Sequence, residues 1–527
     1  IARYFSTDLK NLKTAGKLLG RDIAANRILK AIGKGEKIRL YGDYDVDGTS
    51  SVAMMSIFLR NMGADFDHYI PDRYHEGYGL SEEGVRWAVR DEVDLLITLD
   101  CGIRAVERIE SLKSAGIDTI VCDHHEPGPQ LPPAFAILNP KQKACTYAGK
   151  ELCGCGVGLV LILEMLENSG QTMNLNPFYE LAAIATCSDI VPLIGVNRAI
   201  VAKGLEVIGT SPSHGVRAIL EVAGHKAKAV NVSDVVFKIA PRINAAGRME
   251  HADLGVKLLT AKTAEDAKHW ASELEKANVS RKNLDKSITE EALEMMLEED
   301  PEAKRYTTVL NNEGWHKGLV GIVASRLMER VYRPTVVLTE TDGLLTGSAR
   351  SLEGFNLHEN LTQCDELLER YGGHAAAAGL TLKKENLPEF KERFESLASQ
   401  QILSKERRPR LDIDLMVDFA EWHNEDYLDF YNQINRFRPY GPSNLPPVFA
   451  TSNCLADRVA VAGKEHLRFE VFQPGNPNRL PAIAFRQAAK YDELASGSSF
   501  EIAYTIDENN WKGSRKLQLV VKDIKTT

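Results

Sequence analysis

Tyr41-Gly42-Asp43-Tyr44-Asp45-Val46-Asp47-Gly48 sets three carboxylates at alternate positions, directly after the apolar-alternating run Lys37-Ile38-Arg39-Leu40-Tyr41. The next segment, Thr49 to Met62, reads as a helix. Strand, acidic turn and helix in succession put the carboxylates at the C-terminal end of a β-strand, where open α/β sheets bind their ligands. Three negative charges this close repel one another unless a cation or shared protons neutralise them. A hard divalent metal is the simplest partner for such an oxygen cluster.

More of the same chemistry follows along the chain. Leu95-Leu96-Ile97-Thr98-Leu99-Asp100-Cys101-Gly102 is an apolar strand ending in an Asp. Ile117 to Cys122 is another, ending in Asp123-His124-His125, and Ala182 to Asp189 closes an apolar helical run with one more Asp. Strands that deliver acid or imidazole at one edge of a parallel sheet supply Asp and His ligands for two ions rather than one. Each motif alone has a blander reading. An Asp after a strand is often a turn former or a helix N-cap, and Asp-His-His can be a surface loop. All four together would need four coincidences.

Composition bounds the rest. At 527 residues the chain is too long for one core, so two to four domains are expected. Its 44% apolar and 26% charged content is that of a soluble globular protein. No run approaches the roughly 18 apolar residues of a membrane span. Ile1-Ala2-Arg3-Tyr4 has no signal-peptide pattern and no Met, as in a trimmed chain. The eight cysteines include no Cys-x-x-Cys pair, so they read as core thiols of a reducing cytoplasm. A net charge of −9 does not advertise nucleic-acid binding, although basic groups can line a channel inside an acidic exterior.

From Lys37 to about Gly255 strands and helices alternate, as in a doubly wound parallel sheet. Gly154-Cys-Gly156-Val-Gly158 lacks the full dinucleotide-binding fingerprint and follows no obvious strand. Between Thr263 and Asp300 there is no Gly or Pro, and Ala267, Trp270, Leu274, Ala277, Leu284, Ile288, Ala292 and Met295 recur at helical spacing. Thr263 with Asp266 resembles a capping box. One helix here would be roughly 50 Å long and would connect two domains; the alternative is two helices kinked near Asn278. A second α/β unit runs from about Tyr306 to Ser399, with strands near Thr307–Leu310, Thr335–Thr339 and Leu344–Ala349. After the basic stretch Ser404-Lys-Glu-Arg-Arg-Pro-Arg410, strands dominate from Leu411 on, at Leu467–Phe472, Ala482–Phe485, Phe500–Ile506 and Leu517–Val521. A five-stranded OB barrel is the expectation.

These residues resemble a known family. Asp43-Tyr-Asp45-Val-Asp47-Gly48, Leu99-Asp100-Cys-Gly102, Asp123-His124-His125 and Ser188-Asp189 are similar, in order, to the four motifs of the DHH phosphoesterase superfamily. Gly372-Gly373-His374-Ala-Ala-Ala-Ala-Gly379 resembles the glycine-rich motif of its associated domain. Pro241-Arg-Ile-Asn-Ala-Ala-Gly-Arg248, Gly314-Trp-His-Lys-Gly-Leu-Val-Gly321, Gly347-Ser-Ala-Arg350 and Pro439-Tyr-Gly-Pro-Ser-Asn444 extend the likeness to the bacterial single-strand-specific 5′→3′ exonucleases. The resemblance implies an α/β protein with a parallel-sheet DHH catalytic domain (1–262), a connecting helix (263–300), a smaller α/β DHH-associated substrate-binding domain (301–403) and a C-terminal OB-like single-strand-binding barrel (404–527).

Carried over residue by residue, the resemblance implies that Asp45 and Asp100 hold one divalent ion. Asp47, Asp100, His124 and Asp189 hold a second, with Asp100 bridging. Asp43 ligates or orients, Asp123 and His125 stand behind the ligands or face the phosphate, and Tyr41 replaces a His found in some members. Mn2+ suits mixed carboxylate and imidazole ligands better than Mg2+, which is the other expected ion. Arg73 matches a position that holds a terminal 5′-phosphate, with Ser348 and Arg350 as the second half of that pocket. Gly373 and His374 let backbone approach the strand, and Arg242, Asn244 and Arg248 match positions near the scissile phosphate. The commoner fate of each Arg is an ion pair. In the tail, Lys464, Arg468 and Arg486 interleave with Phe469, Phe472, Phe485 and Trp511, which suits stacking and phosphate contact with a single strand, although alternation buries about half of them.

The leading function is therefore a cytoplasmic, monomeric, metal-dependent exonuclease acting on single-stranded DNA with a 5′ end in repair and recombination, with single-strand-binding protein and a helicase as partners. A DHH phosphodiesterase for short oligonucleotides or cyclic dinucleotides would resemble only the first two domains. A non-catalytic scaffold would have lost Asp45, Asp47, Asp100, His124 and Asp189, all present here.

Overall fold

The computed structural model describes residues 2–526 apart from 6, 10, 11, 13, 14, 226–228, 403–408, 422, 423, 477, 512 and 513. Most of the basic stretch from Ser404, and the Trp511 side chain, lie outside the described residues. The chain divides into two compact units, Gly16–Asp189 with Gly204–Arg410, and Ile1–Ala15 with Ile190–Lys203 and Leu411–Thr527.

The larger unit is organised by two sheets. In the first, β1 (Ile38–Gly42), β2 (Phe66–Tyr69), β3 (Leu95–Leu99), β4 (Asp118–Cys122) and β5 (Ala136–Leu138) are all parallel, in the order β2-β1-β3-β4-β5. β1 and β3 are buried at every residue, β3 as its apolar run requires of a strand covered on both faces and β1 with Arg39 paired to Asp67 and Asp91. The order reverses between β1 and β3. That is the switch point, where a crevice opens beyond the strand ends, and it receives the Asp43 loop and Asp100.

Strand–helix alternation stops earlier than the sequence pattern suggests. Between Gly154 and Glu299 the described residues form helices and no strand. The helices Gly154–Ser169 and Asn176–Ser188 are buried on nearly all sides, and the run Ala182–Ser188 is helical as its pattern reads. Glycines 154, 156 and 158 lie inside a helix with no strand before it, which removes the dinucleotide reading.

Residues Ala264–Glu299 form one continuous helix. Thr263 is its N-cap, accepting the Asp266 N–H at 3.1 Å; the return bond of the expected box is replaced by the Thr263 hydroxyl, which donates to the Asp266 carboxylate at 2.7 Å. Asn278 is buried within it, with no break in the helix. The helix packs Ile288, Ala292 and Met296 against Val323, Ala324 and Leu327 of the Val320–Val331 helix. The second sheet follows: β6 (Thr308–Asn311), β7 (Thr335–Thr341), β8 (Leu344–Arg350), β9 (Arg370–Gly373) and β10 (Ala377–Lys383), in the order β6-β7-β8-β10-β9, with only β6 and β7 parallel.

The smaller unit carries a barrel. A two-residue strand, β11 (Leu415–Met416), leads into it and pairs with the first long strand. β12 (Phe449–Ala462), β13 (His466–Phe472), β14 (Leu480–Ala484), β15 (Phe500–Trp511) and β16 (Ser514–Thr526) run β12-β13-β14-β16-β15, and β15 pairs back onto β12 to close the ring. β14 and β16 are parallel and the other ring pairs antiparallel, as in an OB barrel. Phe469 is core, whereas Lys464, Arg468, Phe485 and Arg486 are exposed. Arg198, fully buried, donates at 2.8 Å to the carbonyls of Arg436 and Arg438 and so stitches Ile190–Lys203 into this unit.

Candidate metal centre and phosphate pocket

The acidic loop leaves β1 and enters a helix sooner than its pattern suggests, at Val46 rather than Thr49. The reason is Asp45. Its carboxylate accepts the N–H groups of Asp47 (2.9 Å) and Gly48 (3.1 Å), so it is the N-cap, and Asp47 falls in the first turn. The Asp47 carboxylate is held by a second helix, taking the N–H of Gly154 at 2.6 Å and of Cys155 at 2.7 Å. Unpaired amides and the dipole make a helix N-terminus a natural seat for an anion.

Asp100 follows β3 with φ of 65°, in the left-handed region, the kind of strain that persists where surrounding structure enforces it. Gly154 presses on it: a Cβ there would lie 2.6 Å from Asp100 Cβ and 2.8 Å from its Cα. Gly154→Ala is therefore expected to displace Asp100 and to lower turnover on the order of 10²-fold, since about 1 Å of misplacement can cost that much. Steady-state kinetics beside a melting curve would check it.

After β4, Asp123 is buried and acts as an organiser. It accepts the N–H groups of His124 (2.7 Å), His125 (3.1 Å) and Ile103 (2.9 Å), and lies 2.7 Å from His125 Nδ1. Burial pushes its pKa up, but the bond and charge of His125 and these amides outweigh that and bring it to about 2. Burial alone would lower His125, and the Asp123 contact raises it instead. The Tyr78 hydroxyl stands 3.0 Å from His125 Nδ1 and 3.2 Å from the Asp100 carbonyl. Asp189 caps the C-terminus of the Asn176–Ser188 helix.

These side chains converge. His124 Nε2 is 3.2 Å from Asp100 Oδ1, 3.5 Å from Asp189 Oδ2 and 3.9 Å from Asp47 Oδ2. Three sets have donor atoms within 4.8 Å of one another: Asp43, Asp45 and Asp100; Asp47, His124 and Asp189; and Asp100, His124 and His125. Asp43 Oδ1, Asp100 Oδ1, His124 Nε2 and Asp189 Oδ2 are buried without a hydrogen-bond partner. Burial and mutual repulsion hold Asp43 and Asp100 well above the usual carboxylate range, with Asp47 at about 6 and Asp189 at about 9. Burial brings His124 down to about 3, leaving a neutral imidazole with a free lone pair. Orphaned oxygens that repel one another and an unprotonated ring nitrogen are a donor set that fits hard divalent cations. Tyr41 is no part of it: its hydroxyl donates to the Gly79 carbonyl at 2.9 Å within the apolar core.

The basic residues divide. Arg73 lies over the Tyr44 ring at 4.6 Å, beside the acidic loop. Arg350 on β8 donates to Ser348 Oγ (2.6 Å) and Ser325 Oγ (3.1 Å), and burial and the charge of Arg73 lower its pKa. Arg248 donates to the Gly318 carbonyl at 2.7 Å, and burial with the nearby charge of Arg73 brings its pKa to about 10. Buried cations gathered around the charge of Arg73 form a place for an anion. Arg242, buried, is spent differently, on a pair with half-buried Glu275 at 2.5 Å and on the Lys238 carbonyl at 2.7 Å. Asn244 is half-buried on the same helix. Gly373, with φ of 145°, serves its hairpin: a Cβ would lie 2.3 Å from the Ala377 carbonyl oxygen. His374 is exposed at that turn.

Sequence reasoning missed Gly154 and Cys155 as the seat of Asp47, Tyr78 beside His125, and Gly321 and Ser325 around Arg350. The glycine run opening an apolar helix was the available signal for the first pair, and the Gly314–Gly321 motif for Gly321; Tyr78 and Ser325 meet partners far away in the chain and carried none.

Three family models match the chain: DHH family, N-terminal domain, over residues 37–186; DHHA1 domain over 304–400; and RecJ OB domain over 413–523. The single-stranded-DNA-specific exonuclease RecJ of Bacillus subtilis strain 168 is 36% identical over 509 residues, which are 96% of this chain and 63% of the relative, so this chain spans less than two thirds of that protein. The enzyme of the same name from Salmonella typhimurium is 32% identical over 542 residues, covering 99% of this chain and 93% of the relative. Among solved structures, RecJ from Thermus thermophilus in complex with Mn2+ superposes with a TM-score of 0.82 at 30% identity, covering 97% of this chain and 72% of that one. Its complex with Mg2+ gives 0.75 at 28% identity, covering 97% and 71%. With all three family models in order and a relative matched over nearly its full length, the chain belongs to the RecJ family of single-stranded-DNA-specific exonucleases.

Proposed function

We propose that this chain is a divalent-metal-dependent exonuclease that hydrolyses single-stranded DNA from a 5′ end. The observation that carries the reading is the convergence of Asp43, Asp100, His124 and Asp189 through buried atoms that have no partner. Asp45 and Asp100 would hold one ion, and Asp47, Asp100, His124 and Asp189 the other, with Mn2+ favoured over Mg2+ by the mixed donors. Bound there, two such ions supply Lewis-acid polarisation of a phosphodiester and a more acidic water.

The chain's own groups do the rest. The Gly154 and Cys155 amides keep Asp47 oriented. Asp123 holds His125 so that its half-exposed ring can donate to a phosphate oxygen. Arg73 with Arg350, which Ser348 and Ser325 orient, takes the terminal phosphate, and Arg248 the backbone between. Arg242, held by Glu275, positions its helix rather than touching substrate. The proposed divisions are 1–262, 263–300, 301–403 and 404–527, with the barrel's exposed Lys464, Arg468, Phe485 and Arg486 as its strand-binding surface. Among the described residues no helix is long and apolar enough to cross a membrane; a cytoplasmic monomer working with single-strand-binding protein and a helicase is the expectation from the family resemblance.

The decisive experiment digests 5′- and 3′-end-labelled single strands in Mn2+ beside a dinucleotide control. Label should leave the 5′ end first and the dinucleotide should be a poor substrate. Preferred cleavage of the dinucleotide would favour the small-substrate phosphodiesterase instead.

A further inference from the structure

The carboxylate of Asp285 is wholly buried, and no part of the site described above uses it. It sits on the connecting helix Ala264–Glu299. Its Oδ2 is 2.7 Å from Arg326 Nη2 on the Val320–Val331 helix and 3.8 Å from Arg281 Nη1, one turn back on its own helix. Arg281 donates to Asn278 Oδ1 at 3.1 Å, and Asn278, itself wholly buried, donates to Glu275 at 3.4 Å. Glu275 pairs with Arg242. Positions 275, 278, 281 and 285 are helical neighbours at steps of three and four, so the contacts run as a polar rail along one side of the helix.

Both ends of the rail are tied to functional regions. Arg242 belongs to the Ala240–Met249 helix, which lies hard against the acidic loop: a Cβ on Gly247 would be 2.7 Å from the Tyr44 carbonyl oxygen. Arg326 belongs to the helix that seats Arg350. A Cβ on Gly321 would be 3.0 Å from Arg350 Nη2, and Ser325 Oγ accepts from Arg350 Nε at 3.1 Å. Asp285 is buried while Arg326 is half-exposed, so one end of the pair bears a desolvation cost for a contact that apolar packing would replace in stability; in some proteins such retained polar contacts set the register of the elements they join.

We propose that Asp285, acting through Arg326, is a positioning residue that fixes the distance between the terminal-phosphate pocket and the carboxylate cluster, and so fixes which phosphodiester is cut. The inference rests on the end-pocket reading above. A strand held by its terminal phosphate presents one bond to the cluster as long as that distance is constant. Loosening the lock between the two helices lets the pocket shift, and neighbouring bonds come within reach.

The test is a single-turnover digestion of a 5′-phosphorylated, 5′-labelled strand in Mn2+ by the full chain, with product lengths resolved. Arg326, whose side chain is half-exposed, is the variant of choice, because Asp285→Asn leaves Arg281 buried beside a neutral group. The parent should release one labelled length. Arg326→Gln should spread the label over adjacent lengths and raise KM for the phosphorylated strand about tenfold, with kcat on a 5′-hydroxyl strand unchanged. Arg326→Lys should restore the single length. Folded Arg326→Gln that still releases one length with parental KM would overturn the inference. A parent that releases mixed lengths and ignores the terminal phosphate would overturn the end-pocket reading, and the inference with it.

Discussion

Asp100→Ala should abolish hydrolysis and leave the fold intact. Asp100 lies within reach of both candidate ion sites, so its loss removes donors from each. Stabilisation of transition-state charge by bound metal is worth several kcal/mol, and each 1.4 kcal/mol is tenfold, so a fall of about 10³-fold or more is expected. The same carboxylates predict a pH dependence. Their folded pKa values are raised, to about 6 for Asp47 and about 9 for Asp189. The folded state therefore holds these protons more firmly than the unfolded chain does. Their contribution to stability is full below the ordinary carboxylate pKa near 4 and is lost as pH rises through 6 and then 9. In EDTA the melting temperature should fall across that window, and Mn2+ should restore it. Asp100→Ala should flatten the fall in EDTA and gain less from Mn2+. Near-parental turnover of a folded Asp100→Ala protein would sink the shared-ligand assignment.

The pattern of residues carried the centre of this site further than it carried the fold around it. Asp43, Asp45, Asp47, Asp100 and His124 each follow a largely apolar strand, and alternation with turns places such ends on one edge of a parallel sheet. Local signals sufficed for that, as they did for the continuous helix and its Thr263 cap. They failed at the extent of the sheet: the pattern carried strand–helix alternation to about Gly255, whereas among the described residues no strand follows Leu138 until Thr308. They also failed where one residue serves two masters. Asp45 is both a helix cap and a member of the acidic cluster, so the bland reading and the functional one hold together. Arg242 shows the reverse: its motif points to phosphate, but its partner, Glu275, is on the connecting helix and is invisible to spacing.

Arg350→Ala should erase discrimination for a 5′-phosphate. An exonuclease acquires polarity only from a feature that one strand end has and internal positions lack, and clamping a phosphodiester cannot supply it. A terminal phosphate carries extra charge and one more exposed oxygen. In the proposed reading Arg350 receives it. Its guanidinium is held by Ser348 and Ser325, faces the charge of Arg73, and is left with a depressed pKa by burial and that repulsion. An arriving phosphate relieves the repulsion between the two arginines, so its binding is stronger than to either alone. Charge-assisted hydrogen bonds contribute about 1.5–3 kcal/mol each, and a bidentate pair therefore predicts a loss on the order of 10²–10⁴-fold in kcat/KM for phosphorylated strands. Cleavage of 5′-hydroxyl strands, which never used the contact, should change little, and Arg350→Lys should recover only part because a point charge cannot bond bidentately. Competition between the two strands in one tube reads the ratio directly. An Arg350→Ala enzyme that keeps the parental ratio would place the end pocket elsewhere and leave the direction of digestion without a structural cause.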